Sequence, residues 1–238
     1  MTLTNHAALI AVSLAVLVGW RHPAQAALRC GPFTQDVLAA PEPREARWPV
    51  QRFETINAAV KTERYRVLFL GDSITERFPT DAPEVWRRHM VPRGVFNAGV
   101  SGDRTEHLLW RLEHGNLAGP APKAVVLLIG TNDLTNGGSG RPPEDVAEGI
   151  RANLLYLRQH LPNAPILLLG LWPRSEAPDA RLRLATVAVN RLIQRCGDDR
   201  TVVYADIGGV LLDPAGRDRK STRLNSSHIQ KSRMPSSA

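Results

Sequence analysis

The stretch "RVLFLGDSIT" (66–75) carries four apolar residues in succession, Val67 to Leu70, straight into Gly71-Asp72-Ser73. An apolar run without polar alternation suits a strand covered on both faces, as in a parallel sheet. Four further runs of this kind follow: "VFNAG" (95–99), "AVVLLIG" (124–130), "PILLLGL" (165–171) and "TVVYADI" (201–207). Helical patterns separate them. "TEHLLWRLEHG" (105–115) places Leu108, Leu109 and Leu112 on one face and stops at Gly115. "PEDVAEGIRANLLYLRQHL" (143–161) opens on Pro143 and repeats Val146, Ile150, Leu154 and Leu157 at three- and four-residue steps. "DARLRLATVAVNRLIQRCG" (179–197) does the same and stops at Gly197. Strands alternating with helices predict an α/β domain of right-handed βαβ units, and no internal repeat is visible.

Outside that core the composition divides the chain. "AALIAVSLAVLVGW" (7–20) is long enough for a signal-peptide core and short for a membrane span. "PAQA" supplies Ala24 and Ala26 for cleavage, so residues 1–26 read as a signal peptide and the protein as exported, periplasmic or secreted. An uncleaved anchor is the alternative, because "MTLTNH" holds no Lys or Arg. After cleavage no stable membrane span is expected. Residues 27–63, Pro-rich in "CGPFTQDVLAAPEPREARWPV" (30–50), read as an irregular strap over the surface. Export permits the two cysteines, Cys30 and Cys196, to pair; the sequence leaves pairing and free thiols equally open.

The net charge of +7 invites a nucleic-acid reading. Most of it sits in 218–238, where Arg219, Lys220, Arg223, Lys231 and Arg233 face only Asp218, and Arg21 lies in the signal. Residues 27–217 are close to neutral and hold no basic run interleaved with aromatics, so no nucleic-acid partner is expected.

In sheets of this kind function gathers at the carboxyl ends of the strands. At the first end, Ser73 can present its hydroxyl and backbone N–H at a helix start, or simply cap that helix. The motif is neither Gly-x-Ser-x-Gly nor a phosphate loop. At the second, Asn97-Ala98-Gly99-Val100-Ser101-Gly102-Asp103 lets backbone approach a ligand, with the Gly102 N–H as a donor; a plain turn is the alternative. At the third, Gly130-Thr131-Asn132-Asp133 offers the Asn132 amide, or an Asx turn. Asp72, Asp103 and Asp133 read as loop-fixing groups rather than acids or bases.

"GDSIT", "NAGVSGD" and "GTND", in this order and each after a strand, resemble the first three blocks of the SGNH (GDSL) hydrolase superfamily. "GVSGDRTEHLLWRLEHGNL" followed by "PKAVVLLIGTND" is similar to the catalytic subunits of the brain intracellular platelet-activating-factor acetylhydrolases, and the likeness runs from Arg66 to Asp213. The resemblance implies a flavodoxin-like three-layer sandwich with five parallel strands in order 2-1-3-4-5. It also implies hydrolysis of short acyl, often acetyl, esters without a cofactor or metal. It makes Ser73 the nucleophile, and the N–H groups of Ser73 and Gly102 with the Asn132 amide the oxyanion hole. A single preorganised donor of this kind is worth roughly 10²–10³ in rate.

The superfamily's last block, Asp-x-x-His, supplies the general base and the carboxylate that orients it. "YADIGGVLLDPAGR" (204–217) reads as the approach to it, yet beyond the third block only His160 and His228 remain. His160 belongs to a helix end. His228 follows Asn225 by three positions, an amide where a carboxylate is required, in a Ser-, Arg- and Lys-rich stretch without apolar periodicity. Back-translated, "DRKSTRLNSSH" (218–228) and "SRMPSSA" (232–238) are readings of a common short-read sequencing adaptor. The sequence thus predicts a hydrolase domain over 64–217, truncated before its last helix, and a foreign tail over 218–238. No catalytic Asp or His is expected, so the chain as it stands should turn over little. The competing reading is a non-catalytic carbohydrate- or ligand-binding module on the same fold.

Overall fold

A computed structural model of the chain describes residues 28–33, 40–135, 140–175 and 177–217. The expected signal peptide and the tail from residue 218 lie outside the described residues, as do Asn225 and His228. Five strands form one all-parallel sheet: β1 (Val67–Gly71), β2 (Val95–Gly99), β3 (Ala124–Leu128), β4 (Ile166–Leu169) and β5 (Val202–Ala205). Their order is β2-β1-β3-β4-β5, the flavodoxin-like arrangement expected. The near-continuous apolar runs are explained by burial: Leu68, Leu70, Ala98, Val125, Leu127, Ile166 and Val202 are sealed from solvent.

Among the described residues seven α segments accompany the sheet: α1 (Arg47–Thr62), α2 (Ser73–Glu76), α3 (Phe78–Asp81), α4 (Pro83–Val85), α5 (Thr105–Arg111), α6 (Pro143–His160) and α7 (Arg181–Ile193). The central helix α6 lies between α5 and α7 and buries Val146, Ile150, Leu154 and Leu157. Pro143 opens it, where the missing N–H costs nothing, and Glu144 and Asp145 complement the dipole of its first turn. Between β1 and β2 the chain passes through α2, which packs on both strands, and then α3 and α4. Among the described residues no helix is long and apolar enough to cross a membrane.

The reading of 27–63 as irregular is corrected. Among its described residues 28–33 and 40–46 run without regular structure, while Arg47–Thr62 form a four-turn helix that buries Pro49, Ile56 and Val60. The apolar positions Pro49, Phe53, Ile56 and Val60 recur at three- and four-residue steps, a helical stripe masked by the prolines before it. Pro49 is tolerated because a first-turn N–H has no intrahelical acceptor to lose.

The question the cysteines left open is answered by a disulfide, Cys30–Cys196, with Cα atoms 4.5 Å apart and a sequence separation of 166. Both are buried, at the end of α7. Nearby, the Phe33 N–H donates to Glu148 Oε2 on α6 at 2.9 Å, and the Arg195 guanidinium lies 5.7 Å from the Phe33 ring centre. The N-terminal segment is thereby fastened along α6 and α7.

Candidate active site

Gly71 and Gly99 stand opposite each other where β1 and β2 end. A Cβ on Gly71 would fall 2.3 Å from the Leu128 carbonyl oxygen, and one on Gly99 would fall 2.3 Å from the Glu76 nitrogen. The absence of side chains here is what lets α2 drop onto the strand ends. Two hydrogen bonds then hold it there: Asn97 Nδ2 donates to the Thr75 carbonyl at 2.6 Å, and the Ser101 N–H donates to Glu76 Oε2 at 2.5 Å.

Ser73 is the first residue of α2 rather than its cap. That task belongs to Asp72, whose Oδ1 accepts the Ile74 N–H at 2.9 Å. The Ser73 hydroxyl is therefore not consumed by capping, and among the described residues it makes no hydrogen bond. Its N–H, in the first turn of a helix, has no intrahelical acceptor.

Gly102 follows β2 in a turn closed by the Asp103 N–H donating to the Val100 carbonyl at 3.1 Å, with Gly102 itself at φ +81°. Asn132 follows β3. Its Nδ2 donates to the Asp103 carbonyl at 2.8 Å, which fixes the amide plane and leaves the second N–H of the group free. Ser73, Gly102 and Asn132 thus come from the ends of the three adjacent strands β1, β2 and β3, and the last two line one cleft.

Buried carboxylates hold these loops. Asp103 pairs with Arg111 (Oδ2 to Nε, 2.7 Å), and Arg111 also bonds Asn116. Asp133 accepts from the Thr105 N–H at 3.1 Å and its hydroxyl at 2.7 Å. Arg141 grips Glu106 with two bonds, 2.7 and 2.8 Å, and reaches Asp133 at 3.3 Å. Burial pushes Asp72 up to about 7, against the Ile74 N–H bond and helped by the charges of Asp103 and Asp133. Its Oδ2 is shielded and has no hydrogen-bond partner, as suits a carboxyl carrying a proton near neutrality. Burial likewise raises Asp133 to about 6, opposed by the Thr105 hydroxyl. It lowers His107 to about 4, with Glu106 opposing.

No histidine among the described residues bonds to Ser73. His107 is buried, its Nδ1 accepting the Arg104 N–H at 3.1 Å and its Nε2 lying 3.2 Å from Arg104 Nη2. His160 Nδ1 lies 2.9 Å from the Tyr156 carbonyl at the end of α6, the helix-end role expected of it.

Sequence reasoning missed the walls. A polar cleft of about 410 Å³ is lined by Gly102 and Asn132 together with Glu42, Arg44, Glu45, Arg104 and His107; Ser73 is not in its lining. The contacts of 40–46 are remote in sequence and carry no local signal. Arg111 did carry one: a cation in "LLWRL", where the helical stripe calls for burial, announces a buried carboxylate partner.

The GDSL-like Lipase/Acylhydrolase family matches residues 69–226, about two thirds of the chain. The chain belongs to that family. This GDSL-like chain is 41% identical over 127 residues to the platelet-activating factor acetylhydrolase IB subunit beta homolog of Drosophila melanogaster, covering 53% of each chain. It is 39% identical over 128 residues to the human subunit alpha2, covering 54% of this chain and 52% of that one. The chain spans about half the length of the curated relatives it matches. A solved GDSL-like lipase from Bacteroides thetaiotaomicron shares the fold, with a TM-score of 0.54 and 22% identity over 70% of this chain and 82% of that one. The GDSL match extends past Arg217 into the segment for which back-translation predicts a foreign origin.

Proposed function

We propose that this GDSL-like protein is a serine hydrolase of short acyl, above all acetyl, esters, with Ser73 as the nucleophile. The observation that carries the reading is the Asn132 amide held to the Asp103 carbonyl at 2.8 Å, one donor still free, at the end of β3, beside the β1 end that bears Ser73 and across it from the β2 end that bears Gly102. Ser73 Oγ attacks the ester carbonyl carbon, and the carbonyl oxygen takes up the negative charge. The Ser73 and Gly102 N–H groups and Asn132 Nδ2 stabilise that charge without reorganising. Collapse of the tetrahedral species expels the alcohol and leaves an acyl-serine for water to cleave. Relatives named acetylhydrolases support the short acyl group.

The serine proton needs a base, and the described residues offer Ser73 none. Slow turnover of the 238-residue chain is accordingly part of the proposal, since loss of a triad member leaves only oxyanion-hole and binding catalysis. The same observation favours, as a second reading, a ligand-binding module on this fold. Export is supported by the apolar run over 7–20 and by a buried disulfide, which persists in oxidising compartments.

The test compares p-nitrophenyl acetate hydrolysis by the chain, by its Ser73→Ala variant, and by a form whose segment after Arg217 supplies Asp-x-x-His. Fast hydrolysis confined to the last form and abolished in it by Ser73→Ala is expected. No gain on supplying that segment would favour the binding module. Ordinary enzyme rates in the 238-residue chain would overturn the expected slowness.

A further inference from the structure

Arg183, on α7, is only 5% exposed, yet among the described residues it pairs with no carboxylate. Its guanidinium is engaged by three backbone carbonyls instead. Nε donates to Arg174 at 3.1 Å, Nη2 to Ser175 at 2.6 Å and Nη1 to Gly216 at 3.0 Å. The first two acceptors lie in the loop that follows β4; the third lies beyond β5, one residue before Arg217. A buried cation is costly unless its donors are matched. An apolar side chain would pack there at lower cost, so what the planar fork contributes is the joint between these two segments.

Both ends of the joint bear on the proposed site. Arg174 Nη1 lies 3.5 Å from the Thr131 hydroxyl, beside Asn132, and its charge acts on Asp72, beside Ser73. Ser175 sits at φ +70°, a left-handed conformation unfavourable to a residue with a Cβ. Such strain persists only where the surroundings enforce it, and the Arg183 bond to the Ser175 carbonyl does so. At the other end, Asp213 Oδ1 accepts the Ala215 and Arg217 N–H groups at 2.9 and 2.8 Å, so Gly216 is carried in a closed turn. One guanidinium therefore ties the loop beside the Ser73 and Asn132 strand ends to the turn from which the chain continues past Arg217.

We propose that Arg183 is a positioning residue that sets where the segment carrying the base of Ser73 begins its course. The proposal rests on the reading of Ser73 as nucleophile and adds the group that brings nucleophile and base into register. Arg183→Lys keeps the charge but cannot fork to three carbonyls. In the 238-residue chain it should speed hydrogen exchange at the Gly216 and Arg217 N–H groups about tenfold. In the form supplying Asp-x-x-His it should lower kcat for p-nitrophenyl acetate roughly 10²-fold with KM unchanged. Val189→Ala, a cavity in the same helix, should lower the urea midpoint and leave kcat as it is. Should Arg183→Lys not fold, Gly216→Ala replaces it. An added Cβ there meets nothing nearer than Pro178 Cγ at 3.7 Å, so φ +74° alone opposes it, and kcat should fall about tenfold. Unaltered exchange, unaltered kcat in the variant used, or an equal fall in Val189→Ala would overturn the proposal. If exchange responds but the form supplying Asp-x-x-His has no esterase activity even with Arg183 in place, the Ser73 reading fails and the positioning role falls with it.

Discussion

Asn132 reaches across from the end of β3 and donates its side-chain amide to the backbone carbonyl of Asp103 at 2.8 Å, so the ends of β2 and β3, on either side of β1, share one rigid polar joint. The bond orients the donor that remains.

Replacing Asn132 with Ala removes both the joint and the donor. In the form supplying Asp-x-x-His, kcat for p-nitrophenyl acetate should fall roughly 10²–10³-fold. Loss of the Asp103 partner should also cost about 1 kcal/mol in a urea titration. A KM change at constant kcat would contradict the oxyanion role.

Arg111 and Asp103 form an ion pair with both partners buried. Arg111→Met leaves the Asp103 carboxylate uncompensated, and a loss of about 3–5 kcal/mol is expected. Burial already raises the Asp103 pKa, with Arg111 holding it down. Without Arg111 it rises further, so the deficit should shrink as pH falls. Urea midpoints of wild type and variant at pH 5 and pH 8 check this, and Arg111→Met/Asp103→Asn should recover much of the loss.

Asp72 has the opposite sign from most carboxylates. Its folded pKa is raised to about 7, so its contribution is fully present below the unfolded value of 3.8 and is lost as pH rises through 7. Asp133, raised to about 6, acts in the same window. Asp198, held down by bonds from Thr201, Val202 and Arg200, works the other way, losing stability only as pH falls below the ordinary carboxylate range. Asp72→Asn keeps a good cap and removes the titration. Its thermal midpoint should change less than that of wild type between pH 5 and pH 8, with the gain over wild type largest at pH 8.

The Cys30–Cys196 link closes a loop of 166 residues. In the chain-entropy picture such a loop is worth about 5 kcal/mol. Cys30→Ser/Cys196→Ser should therefore denature at markedly lower urea than wild type, and reductant should shift wild type alone.

The sheet was legible because its information is local: each strand is a short apolar run, and each polar stretch after it is a turn whose chemistry lies within a few residues. Ser73, Gly102 and Asn132 were nameable for that reason, and strand order brings them to neighbouring positions. Asp72 rather than Ser73 is the cap because the helix begins at Ser73 itself, one residue earlier than a Ser73 cap requires, and a one-residue boundary is not resolved by sequence. The helix Arg47–Thr62 stayed hidden behind the proline-rich stretch before it, although Phe53, Ile56 and Val60 carried its period. Arg44 and Gly102 are separated by many residues and meet only because the strap is folded back, so nothing near either predicts the contact.

The facing glycines at 71 and 99 bear on how this chain can change over evolutionary time. Walls of the cleft come from side chains on a surface segment, where substitution can drift and retune what is bound. The notch beneath α2 is different, because any heavier residue at either position strikes its neighbours at 2.3 Å. Ligand preference is thus free to diverge among descendants of this sequence, while the seat of the serine is inherited unchanged or lost.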